Sequence, residues 1–115
     1  MAPRTAMALS RPVQTAVIAF ADRVRACFGP RVREVVLYGS QARGDANDDS
    51  DTDVFLRIDG LTQQELGDVF ELAAEVSLEH DVTLQAFAPL PAEHEFLVRN
   101  ECRIIRDIQA EGVPL

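Results

Sequence analysis

The chain has 115 residues and a formal net charge of −8, with 47% hydrophobic and 26% charged residues, eleven arginines and no lysine. Those proportions are those of a soluble globular domain. The acidity argues against tracking along DNA or RNA, because such affinity comes largely from cations that neutralise phosphates. The missing lysine excludes a Walker-type phosphate loop, a kinase-type lysine and Schiff-base chemistry. A chain of this length is expected to form one domain, 1–115, burying roughly two-thirds of its unfolded surface. No apolar stretch suits a signal-peptide core or a membrane span, so a cytoplasmic protein without membrane contact is expected. Cys27 and Cys102 match no metal-ligand spacing, and both are expected as buried free thiols.

Residues 1–9 carry no periodic pattern and are expected to be flexible. Ser10 followed by Pro12 marks a helix start, a capping hydroxyl with proline in the first turn. Val13, Val17, Phe20, Val24 and Phe28 recur at steps of three and four, predicting an amphipathic helix that Gly29-Pro30 ends. A strand is predicted over about 33–38, then a short helical turn at Gln41-Ala42-Arg43, a loop to Ser50, and a second strand over about 52–58. Thr62 and Glu65 form a capping box. The helix they open is predicted to run to about Glu79, with Leu66, Val69, Phe70, Ala73 and Val76 on its inner face. A third strand is predicted from Asp81 to Phe87, and a last helix over about 92–110, ending at Gly112. The order α-β-β-α-β-α gives an α/β (α+β) fold, a mixed three- to four-stranded sheet flanked by helices.

The chemistry concentrates in residues 35–56, VVLYGSQARGDANDDSDTDVFL. An apolar strand stops at Gly39-Ser40, a turn whose backbone can approach a phosphate closely because glycine has no Cβ. Asp51 and Asp53, two apart on an extended segment, project from one face. Paired carboxylates beside a phosphate cradle suit magnesium-dependent phosphoryl or nucleotidyl transfer, since Mg2+ takes a few carboxylates plus substrate phosphates. The turn-back between strands one and two makes them antiparallel, whereas the helix between strands two and three makes those parallel. On that topology Asp81, opening strand three, is expected beside Asp51 and Asp53. Asp45, Asp48 and Asp49 are read as solvated loop charge, and His80 and His94 as surface residues.

Gly39-Ser40, the Ala42-Arg43-Gly44 run and Ser50-Asp51-Thr52-Asp53 opening a strand resemble the signature of the DNA polymerase β-like nucleotidyltransferase superfamily. The brief chain and the closing Glu111-Gly112-Val113-Pro114-Leu115 are similar to its minimal nucleotidyltransferases. The resemblance implies that Gly39 and Ser40 hold a nucleoside triphosphate and that Arg43 sits near phosphate. It further implies that Asp51, Asp53 and Asp81 are catalytic residues and metal ligands for two Mg2+ ions, with ATP as substrate. Thr52 departs from the family pattern, which has an aliphatic residue between the aspartates. Minimal nucleotidyltransferases are commonly paired with a helical HEPN-type ribonuclease toxin, which they neutralise by transferring AMP onto a tyrosine. A partner of that class, joined as a hetero-oligomer, is therefore expected, docking on whichever apolar line of the last helix the sheet does not cover. The two lines are Leu97, Ile104 and Ile108, and Val98, Cys102 and Ile105. Two alternatives stand beside this reading: an antitoxin that acts by binding alone, and an enzyme that modifies a small molecule such as an aminoglycoside.

Overall fold

The protein is described by a computed structural model that covers residues 9–44 and 51–115. The readings for residues 1–8 and for the loop acids Asp45, Asp48 and Asp49 lie outside the described residues.

Helix α1 (Arg11–Phe28) begins where expected: Ser10 accepts a hydrogen bond from the Val13 amide at 3.4 Å, and Pro12 occupies the first turn. Its buried stripe (Val13, Val17, Phe20, Val24 and Phe28, with small Ala16 and Ala21 alongside) packs on a sheet. A 3-10 turn (Gly29–Arg31) leads into β1 (Val32–Tyr38), and a one-turn helix α2 (Ser40–Arg43) follows. Strand β2 (Thr52–Ile58) runs antiparallel to β1, with Tyr38 opposite Asp53 and Val36 opposite Phe55. Helix α3 (Gln63–His80) opens with the reciprocal Thr62–Glu65 capping box. It crosses over to β3 (Leu84–Phe87), which pairs parallel to β2. Helices α4 (Pro91–Arg99) and α5 (Arg103–Glu111) follow, and β4 (Val113–Pro114) closes the sheet in the order β3-β2-β1-β4.

The strand period of two sends alternate side chains to opposite faces. Val35, Leu37, Val54 and Leu56 meet α1 and α3 in the main core. Val36 and Phe55 point the other way and pack against Ile105 and Ile108 of α5, with Phe87 and Leu97 at the margin. Helices thus cover both faces of a four-stranded mixed sheet, an α+β arrangement in three layers.

Four expectations need correction. Strand three starts at Leu84 rather than Asp81. Asp81 instead terminates α3 in the left-handed region (φ 52°), and the Val82 amide donates to the Ser77 carbonyl at 3.2 Å. A short acidic side chain tolerates this conformation, so Asp81 serves as a helix stop.

The single helix over 92–110 is two helices. Glu101 adopts φ 49°, its amide donates to Val98 O at 3.1 Å, and the Cys102 amide donates to Leu97 O at 3.0 Å. This is a Schellman stop with glutamate where glycine usually stands. The break dissolves the two apolar lines expected there: Ile105 and Ile108 turn together onto the sheet, while Phe96 and Val98 stay exposed.

Phe70 is half exposed, because Leu66, Val69, Ala73 and Val76 already fill the contact of α3 with the core. Cys27 is exposed, since only Phe28 of the last turn of α1 reaches the core, and Cys102 is partly covered.

Candidate active site

The site forms where β1 hands over to α2. Gly39 turns the chain at φ 78°, a conformation that disfavours residues with a Cβ. Space imposes glycine as well, since a Cβ here would overlap the Asp53 carboxylate. The Arg43 and Gly44 amides donate to the Gly39 and Ser40 carbonyls at 3.1 and 3.0 Å, closing the single turn of α2.

Asp53 is placed by β2, directly across the ladder from Tyr38. Asp51 is exposed one residue before the strand, and alternation puts it on the same face as Asp53. Burial pushes the Asp53 carboxyl up from its ordinary range, and the charge of Asp51 adds to the effect while Arg43 opposes it. The Tyr38 hydroxyl is pushed up to about 12, by burial first and by Asp53 second, so it stays protonated at neutral pH. Between the aspartates, Thr52 points to the opposite face and is fully buried.

A cavity of about 510 Å3 opens over this turn. Tyr38, Gly39, Ser40, Arg43 and Asp53 form one wall, and Arg103, Ile104, Asp107 and Glu111 of α5 form the other. Arg43 Nη1 reaches across to Glu111 Oε2 at 3.4 Å, so its ion pair and its place at the cavity coexist.

A family profile described as a nucleotidyltransferase domain matches residues 17–111. The chain belongs to the nucleotidyltransferase domain family. No curated protein matches it. Among solved structures, it is similar to one described as a toxin–antitoxin with AMP-PNP (TM-score 0.56, 16% identity, covering 83% of this chain and 68% of that one). It is also similar to a mutant of the toxin–antitoxin MntA-HpeT (TM-score 0.55, 14% identity, 82% and 68% covered). At these identities the likeness is one of fold.

Of the residues expected to form the site, Gly39, Ser40, Arg43 and Asp53 line the cavity, and Asp51 stands at its edge of the sheet. Asp81 does not line this cavity. The β3 strand is level with Thr52 at Leu84, and the Thr52 amide donates to Thr83 O at 2.8 Å, which leaves Asp81 further out on the α3 cap. Among the described residues no group of three acids, histidines or cysteines gathers to hold a metal. The Asp51–Asp53 pair nonetheless fits a divalent cation. Both donors are hard oxygens on one face of the strand, and a cation between them would offset both the burial of the Asp53 carboxylate and, second to it, the repulsion from Asp51. The α5 wall went unread in the sequence, although the spacing of Arg103, Asp107 and Glu111 at steps of four was there to show one helical stripe.

Proposed function

We propose that the protein is a magnesium-dependent nucleotidyltransferase that moves AMP from ATP onto a tyrosine hydroxyl of a HEPN-type ribonuclease toxin, acting as its antitoxin. The observation that carries this reading is the cavity in which the Gly39-Ser40 turn and Asp53 meet. The Gly39-Ser40 backbone and the Ser40 hydroxyl receive phosphate oxygens, and Arg43 supplies counter-charge. Asp51 and Asp53 would hold Mg2+ together with phosphate oxygens, and the ion supplies charge neutralisation at the triphosphate and the departing pyrophosphate. The acceptor oxygen attacks the α-phosphorus, the bond from that phosphorus to the α–β bridging oxygen breaks so that pyrophosphate leaves, and the acceptor proton passes to water. The neighbouring toxin–antitoxin folds, one of them with AMP-PNP, support the same assignment.

One observation favours a second reading. Asp81 caps α3 outside the cavity lining, and among the described residues no three acids gather to hold a metal, which suits an antitoxin that acts by docking alone. Co-expression with a HEPN-type toxin that it binds, followed by intact mass of the purified toxin, separates the two. A gain of one or more AMP masses that disappears in Asp51→Asn/Asp53→Asn is the expected result. A toxin that is bound and inhibited yet unmodified, with either form of this protein, would sink the enzymatic reading.

A further inference from the structure

The cavity has two arginines, one from each wall: Arg43 at the end of α2 and Arg103 at the first position of α5. Each meets a carboxylate of α5. Arg43 Nη1 lies 3.4 Å from Glu111 Oε2, and Arg103 Nε lies 3.7 Å from Asp107 Oδ2. The second separation is too long for a hydrogen bond, and the Arg103 side chain is 93% exposed. Such a pair contributes little to stability.

Nor does the position of Arg103 serve its helix. A cation in the first turn opposes the helix dipole, α5 has no acidic residue there, and arginine preceding aspartate by four is the less favourable orientation. The buried stripe of α5, Ile105 and Ile108, fixes the helix on the sheet and leaves Arg103 on the cavity side. The same wall carries two carboxylates that repel an anion, so anything polyanionic in this cavity needs the guanidiniums turned toward it.

Resting on the nucleotide-binding reading above, we propose that Arg103 is a second, opposing contact for the triphosphate chain. It exchanges its loose contact with Asp107 for phosphate oxygens and closes the chain between α5 and the Gly39-Ser40 turn. Guanidinium–phosphate hydrogen bonds are shorter and stronger than the 3.7 Å pair they replace, and the planar fork suits two oxygens at once.

The test is calorimetric titration with Mg2+ and AMP-PNP at several salt concentrations, for the unaltered protein, Arg103→Ala and Arg106→Ala. Arg106 lies in the same first turn but does not line the cavity. Arg103→Ala is expected to bind about tenfold more weakly, with a shallower loss of affinity as salt rises. Arg106→Ala is expected to match the unaltered protein. Unchanged affinity in Arg103→Ala, or weaker binding with an unchanged salt dependence, would overturn the proposal. An unaltered protein that fails to bind AMP-PNP would overturn the nucleotide reading beneath it.

Discussion

Thr52 offers the sharpest test of the packing. It is fully buried, and its Oγ1 has no hydrogen-bond partner, the one buried side-chain polar atom in that condition among the described residues. Its amide is satisfied by Thr83 O, so only the hydroxyl is at fault. An unpaired buried hydroxyl costs about 1–3 kcal/mol. Valine has nearly the same shape and replaces the oxygen by a methyl group, so Thr52→Val is expected to gain about 1–2 kcal/mol. With an unfolding entropy of about 2.1 cal/mol/K per residue, that gain raises Tm by about 4–8 °C for a chain of this length. At a urea slope of about 1.5 kcal/mol/M, the midpoint rises by roughly 1 M. Circular dichroism melts in urea, without metal or nucleotide, measure both. Thr52→Ser is the control: it keeps the hydroxyl, loses a methyl group, and is expected to lose about 1 kcal/mol. A Thr52→Val midpoint at or below that of the unaltered protein would show that the hydroxyl is satisfied after all, and the reasoning would fail.

Three further outcomes can be checked by unfolding experiments. Glu101 holds the left-handed stop between α4 and α5, so Glu101→Gly is expected to gain about 0.5–1 kcal/mol; a loss would mean the side chain makes a contact worth more than the strain. Gly112 lets the end of α5 press against the sheet, where a Cβ would overlap Ile108 O and Val36 Cγ1, so Gly112→Ala is expected to cost about 1–3 kcal/mol, and a neutral result would contradict that close approach. Glu65 is held down to about 2, first by hydrogen bonds from Arg31 (2.7 and 2.8 Å) and then by the Thr62 amide. Because its folded value lies below its ordinary 4.5, it contributes stability above that value, which is lost as pH falls from there toward 2. Glu65→Gln retains the capping geometry without the charge. It should therefore lose less stability over that acid range, and parallel curves for the two proteins would contradict the assignment.

Much of the fold was legible because its signals are local. Ser10 with Pro12, and Thr62 with Glu65, announce helix starts through backbone hydrogen bonds that span only three residues. Gly39 and the Asp51–Asp53 alternation are equally self-contained, and they bring the glycine turn and Asp53 to one cavity. The departures arose where ordinary residues took a conformation their identity does not advertise. Asp81 and Glu101 both stop helices in the left-handed region, where glycine would have been readable. The first case shortened strand three and left Asp81 on the cap of α3, outside the lining of the cavity. The second divided a helix, turning Ile105 and Ile108 onto one face of the sheet and leaving Phe96 and Val98 exposed. The two residues of β4 are too few to show a period, and their pairing with Val36 and Leu37 depends on the rest of the sheet being in place.

The two stops that bracket α5 make it a replaceable part. Glu101 sets where the helix departs and Gly112 sets where it must land, so its nine residues, about 13 Å of helix, meet the sheet in one register. The glycine turn and the aspartates belong to a different stretch of chain, 39–53. The turn with its aspartates and the opposing wall of the cavity are therefore separately encoded. Residues 103–111 can be rewritten on their cavity stripe, or exchanged as a cassette that keeps Ile105 and Ile108, to change what the cavity accepts without moving the groups that would act on it.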